Sequence, residues 1–241
     1  MKLSVLNMSC CQSRHSQRRL FRARLLTFIF LFFIPGFFLY AQEGQTAMWN
    51  FNTGRSLEAQ NRMGEAVIYY NEAIRIGTDE INRNAASSDS YVAIAWSMRR
   101  LLRYRDVLSW GERGLSAFPE EHRLVQLMGE AYFYLNDHNT SLALMQRYVN
   151  NVPRGGRASV AYFFIGEIYR FRNQYRHAEI AYTTAVQLDP GTALWWFRLA
   201  SVREAEGDFR EAVEAYEYAI RLNPNYQQAI DGLNRSRNRM N

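Results

Sequence analysis

Cysteine occurs only at Cys10 and Cys11 of 241 residues, and both precede an apolar run at residues 25–41. The chain beyond that run has no disulfide, no thiol nucleophile and no cysteine metal site. The two cysteines also stand ahead of the run, where the lipid-modified cysteine of a lipoprotein would follow it. Histidine is scarce: His122, His138 and His177 lie beyond the run at unrelated phases, with no partner at metal-ligand spacing. A phosphate-binding loop, a dinucleotide glycine fingerprint and a Gly-x-Ser-x-Gly element are all missing. These absences argue against an enzyme and imply no cofactor. With 48% hydrophobic and 22% charged residues, the chain reads as a globular domain or a compact repeat array, not a disordered polymer.

Acidic residues are absent before Glu43, whereas Lys2, Arg14, Arg18, Arg19, Arg22 and Arg24 all precede the apolar run. The formal charge of +6 therefore belongs to the leader. Subtracting its six basic residues from 29 leaves 23 arginines against 23 acids in residues 42–241, a balance that excludes a dominant basic surface and speaks against nucleic acid. Basic residues, an apolar run broken at Pro35 and Gly36, and a small residue before polar sequence describe an export leader over residues 1–41. Cleavage after Ala41 makes it a signal peptide. An uncleaved run of this length makes it a signal anchor. Both readings keep the N-terminus inside and place the bulk of the chain across the membrane, in a periplasmic or cell-envelope location. Membrane contact is then expected only through an uncleaved leader, followed by a short linker at 42–46.

Proline after the leader is confined to Pro119, Pro153, Pro190 and Pro224, and each lies 24 residues after a small residue: Ala95, Gly129, Gly166 and Ala200. Those small residues are spaced by 34, 37 and 34, and Gly54 stands 41 before Ala95. Between the marks the pattern is helical. Tyr162, Ile165, Gly166 and Tyr169 share one face, and after a polar turn Ala178, Tyr182 and Ala185 share another before Pro190 stops the helix. The next unit repeats this with Trp196, Leu199, Ala200, Ala212, Tyr216, Ala219 and Pro224. Gly or Ala allows close helix approach, and aromatic rings fill the gaps between neighbouring hairpins.

Small residue, Ala-x-x-x-Tyr, Ala and Pro on a 34-residue period resemble the tetratricopeptide repeat. The resemblance implies an all-α, right-handed superhelical solenoid of about five helical hairpins, framed at 47–80, 88–121, 122–155, 159–192 and 193–226. A capping helix at 225–241 would then cover the last apolar face with Tyr226, Ala229, Ile230 and Leu233. The units depart from the pattern at Thr78 in place of proline, at Gly111 and Gly114 in the second unit, and at Ser141 and Tyr148 where alanine is usual. Insertions at residues 81–87 and 156–158 are expected to lengthen loops between hairpins.

In such arrays the first helices line a concave groove that accepts a peptide. Phasing puts Phe51, Arg55 and Glu58 on that face, then Trp96, Arg99 and Arg100, then Arg123, Gln126, Glu130, Phe133 and Tyr134. The fourth unit adds Phe163, Phe164, Glu167, Arg170 and Phe171, and the fifth adds Phe197, Arg198, Ser201 and Glu204. Aromatics and arginines are good interface anchors, although Phe163 and Phe197 equally suit packing between first helices, and most surface charges are simply solvated. The candidate groove residues are Arg55, Trp96, Arg99, Arg100, Glu130, Tyr134, Glu167, Arg170 and Phe171. A lysine-and-asparagine carboxylate clamp of the co-chaperone kind is not expected, because Lys2 is the one lysine and the corresponding phases hold Arg55, Trp96, Glu130, Glu167 and Ser201. The expected function is a non-enzymatic, exported scaffold for a protein or peptide partner. A membrane-anchored envelope assembly factor or chaperone-like adaptor, and an accessory component of a solute transporter, are the other readings.

Overall fold

The structure is a computed structural model that describes residues 45–240. The leader readings fall outside those residues. Eleven α-helices and no strand are found among the described residues. Five hairpins follow one another: α1 (Ala47–Ala59) with α2 (Met63–Asn82), α3 (Ser88–Arg100) with α4 (Tyr104–Ala117), α5 (His122–Tyr134) with α6 (His138–Asn151), α7 (Ala158–Phe171) with α8 (Tyr175–Leu188), and α9 (Ala193–Glu206) with α10 (Phe209–Leu222). A single helix, α11 (Gln227–Met240), closes the array. Each helix packs on the next in sequence, and first helices also touch first helices in the pairs α1 with α3, α3 with α5, and α5 with α7. These helices form a row along one side of the stack. The fold is an all-α tetratricopeptide-type solenoid with a C-terminal helix.

The turn inside every hairpin carries one residue with positive φ: Asn61, Leu102, Asn136, Asn173 and Gly207. Their intervals are 41, 34, 37 and 34, the same as those between the small residues, so turn geometry and close packing keep one phase. Asparagine and glycine tolerate this left-handed conformation, whereas Leu102 adopts it with a branched side chain.

Close packing between helices is physical necessity at several glycines. A Cβ on Gly166 would stand 2.6 Å from the Tyr182 ring, and one on Gly114 would stand 2.4 Å from Leu124 Cδ1. The two glycines that set the second unit apart are thus what lets α4 lie against α5. Tyr70, Tyr182 and Tyr216, at matching places in the second helices, are fully buried. Each donates its hydroxyl to a glutamate of the preceding helix, Glu58, Glu167 and Glu204 respectively. Ser141 donates to the Gly129 carbonyl at 2.8 Å, which satisfies the hydroxyl that replaces alanine there.

The insertion at residues 81–87 acts differently from the expectation of a longer loop. With Thr78 in place of a proline, α2 runs on to Asn82 and reaches 20 residues, so the first part of the insertion is helix. The later insertion does lengthen a loop, residues 152–157 between α6 and α7. At the C-terminal end, Ala229 and Leu233 of α11 are buried against α10, and a Cβ on Gly232 would stand 2.3 Å from Tyr216. The outer side of α11 is polar, as a cap requires.

Candidate functional site

Three first helices, the second helix α6 and one loop line a partly open cavity of about 330 Å³. Helix α1 supplies Phe51 and Arg55, α3 supplies Trp96, Arg99 and Arg100, and α5 supplies Arg123; Tyr148 of α6 and Gly156 and Arg157 of the 152–157 loop complete the wall. Phe51 and Trp96 stack with their ring centroids 5.0 Å apart. Five of the nine lining residues are arginines and none is acidic.

The acids lie behind the wall. Glu130 is fully buried; it pairs with Arg99 on one side and Arg157 on the other, and accepts from the Gln126 amide. Burial alone would push its carboxyl up, but Arg157 and Arg99 outweigh that and hold it below the ordinary glutamate range. Arg157 also donates to Gln126 Oε1 at 2.8 Å, which ties the 152–157 loop to α5. Arg100 reaches Glu58 at 3.1 Å, and Arg123 is held by Glu121 at 2.6 Å and Asp89 at 2.8 Å. Its hydrogen bonds to Glu121 raise the already high pKa of Arg123 further. Arg55 has no carboxylate partner among the described residues; its guanidinium lies 5.8 Å from the Phe51 ring.

A second grouping lies where the first helices end. Tyr134 stacks on Tyr104 at 4.6 Å, Phe171 stacks on His138 at 5.2 Å, and Phe133 touches both Tyr134 and Phe171. Tyr134 and Phe171 are 45% and 51% exposed, a large share for such rings. Beside them, Glu167 is 5% exposed and accepts from Tyr182, with Arg170 at 2.9 Å and Arg198 at 2.9 Å. Arg170 in turn lies 4.6 Å over the Phe171 ring.

Of the candidate groove residues, Arg55, Trp96, Arg99 and Arg100 are brought together in the cavity, and Tyr134, Arg170 and Phe171 belong to the aromatic grouping. Glu130 and Glu167 are displaced from the solvated face that phasing assigned them. Each carboxylate is held inward by guanidinium partners that offset its loss of hydration, Arg99 and Arg157 for Glu130 and Arg170 and Arg198 for Glu167, so both are supports beneath the surface. Phe163 stacks on Trp195 of the next unit at 5.6 Å and packs against Tyr182, which favours packing for that ring. Sequence phasing passed over Tyr148 and Arg157 as site residues. Both had a visible signal, since one replaces an alanine and the other lies in the later insertion.

Three family models match the chain, each described as tetratricopeptide repeat, over residues 38–81, 159–192 and 193–226. These stretches are tetratricopeptide repeats. Superkiller complex protein 3 of Homo sapiens is 27% identical over 105 residues, which is 44% of this chain and 6% of that protein. The chain thus spans a small fraction of that relative's length. Among solved structures, TTC0263, a thermophilic tetratricopeptide protein of Thermus thermophilus, is 17% identical with a TM-score of 0.59 over 81% of this chain and 99% of its own. MamA from Desulfovibrio magneticus is 17% identical with a TM-score of 0.52 over 76% and 98%. YrrB, described as a tetratricopeptide protein with an unusual peptide-binding site, is 18% identical with a TM-score of 0.50 over 81% and 96%. At these identities the likeness shows the fold. Among the described residues no group of three or more His, Cys, Asp or Glu side chains is placed to hold a metal ion, and no helix is long and apolar enough to cross a membrane.

Proposed function

We propose that the chain is an exported, non-enzymatic scaffold whose tetratricopeptide repeats hold a protein or peptide partner along the row of first helices. The observation that carries this reading is the arginine-walled cavity with its stacked Phe51 and Trp96, built from three successive first helices. Rings and guanidiniums bring large contact area and forked hydrogen bonding with few rotamers to freeze. YrrB, of the same fold, is described as having a peptide-binding site, which supports the choice of partner class. The charge balance of residues 42–241 argues against nucleic acid, and the basic leader with its apolar run supports export.

A photo-reactive amino acid placed at position 55 or 171 of the full-length protein in its native cell tests the reading. Crosslinks to a polypeptide are expected from both positions and not from positions 180 or 222, exposed sites on second helices. Crosslinks from the second helices alone would overturn the assignment of the working face. The mass of the recovered native protein tests export: a start at Gln42 means a cleaved leader, and an intact Met1 means a retained one.

A further inference from the structure

Two departures from the repeat pattern converge on the cavity. Tyr148 stands where alanine is usual and is buried in the wall, and the later insertion delivers Arg157, which is tied to α5 through Gln126 and Glu130. Tyr148 also packs in the cluster that joins α5 and α6 to α7 and α8, whereas the Arg157 guanidinium bonds to polar groups of α5. Together they add to the wall of a groove between first helices that stays partly open. Charge is arranged to match: five wall arginines are backed by four carboxylates, Glu58, Asp89, Glu121 and Glu130, which leaves a surplus of one positive charge. Arg55 carries that surplus at an exposed position, with no carboxylate at ion-pair distance among the described residues and its guanidinium 5.8 Å from the Phe51 ring.

We propose that this cavity is an oxyanion site that takes one acidic side chain of an extended partner peptide. Arg55, Arg100 and Arg123 contact the anion, while Glu130 holds Arg99 and Arg157 in place as positioning residues. Guanidinium forks match the two oxygens of a carboxylate or the oxygens of a phosphate, and Phe51 and Trp96 offer an apolar floor to the stem or neighbour of the anionic group. A cavity of about 330 Å³ admits one or two side chains. A nucleic-acid backbone would need a continuous basic track, and the net neutral charge of residues 42–241 does not provide one. The inference rests on the scaffold reading above and specifies its ligand chemistry.

The test uses the full-length protein and three fluorescein-labelled decapeptides: alternating Glu and Ala, the same with Gln for Glu, and the Gln form with one phosphoserine. Anisotropy titrations are expected to show binding of the Glu peptide, the phosphoserine peptide or both, with the Gln peptide at least tenfold weaker. Which of the two anionic peptides binds names the source of the oxyanion. Arg55→Gln is expected to weaken the anionic peptide about tenfold, the effect of losing one charge-assisted hydrogen bond. Arg210→Gln, an exposed arginine outside the cavity, is expected to leave it unchanged. Raising the salt from about 50 to about 300 mM is expected to weaken binding further. Equal binding of the Gln peptide, no binding of any peptide at millimolar concentration, or no effect of Arg55→Gln would each overturn the oxyanion site. If those results came with partner crosslinks from positions 55 and 171, the oxyanion site alone would fall and the scaffold would stand. Absence of both would end both.

Discussion

Leu102 is the one turn residue of the five hairpins that meets a left-handed backbone with neither asparagine nor glycine. The conformation costs a residue with a bulky side chain about 1 kcal/mol, and the leucine, 69% exposed, recovers little of that by burial. Leu102→Asn is therefore expected to raise stability by about 0.5 to 1 kcal/mol, read as a higher urea midpoint with an unchanged slope. Glu130 is the opposite case, a residue on which neighbours depend. Glu130→Gln leaves two guanidiniums without their buried partner and is expected to cost about 3 kcal/mol. The sign of its pH dependence follows from its lowered pKa. Its stabilisation is complete above the unfolded-state value of about 4.3 and is lost as pH falls from there toward the folded-state value. Wild type should thus lose stability more steeply below about pH 5 than the glutamine variant does, which thermal melts from about pH 3 to 7 would show.

Helix pairing sets a harder limit than helix propensity. Gly166→Ala gains about 1 kcal/mol of helix preference, but its Cβ would meet the Tyr182 ring at 2.6 Å. Overpacking of that kind costs about 1 to 3 kcal/mol, so a net loss is expected. Gly64→Ala, in α2 with no atom within 4 Å of the added Cβ, should be neutral or stabilising. Unfolding midpoints that move the same way in both variants would show that packing does not decide the outcome. The same contrast explains what was legible beforehand. Gly166, Tyr182 and Ala185 announce their hairpin because close approach restricts which residues fit, and such restrictions recur with the period. The extension of α2 was not legible as helix, because the insertion begins where a proline is missing and nothing periodic marks where the helix then ends. Arg157 and Glu130 were harder still. Their pairing joins residues 27 apart across a loop, and a contact that occurs once in the array leaves no repeating signal.

At the scale of the whole array, burial is divided among overlapping clusters: α1 to α3, α3 to α5, α5 to α8 and α8 to α11. Each unit is held by its neighbours, so damage at one end should stay near that end. Gly232→Val drives a side chain into Tyr216 and is expected to loosen α9 to α11 while leaving the cavity lined by α1, α3, α5, α6 and the 152–157 loop intact. Hydrogen exchange should speed up in residues 193–240 and remain slow in residues 88–134, and peptide binding at the cavity should be unaffected. Uniform acceleration across both regions would mean that the repeats unfold as a single cooperative block.

The cavity wall holds arginines, rings and a glycine, and a guanidinium is a side chain that proteins do not deprotonate. The site thus behaves as a fixed electrode. Any rise or fall of affinity near neutral pH comes chiefly from the guest's own ionisation. A partner bearing carboxylates would give a flat profile, whereas one bearing a phosphate monoester would tighten as its second proton leaves near about pH 6. A pH series on an unidentified native partner would therefore report the chemistry of that partner before its sequence is known.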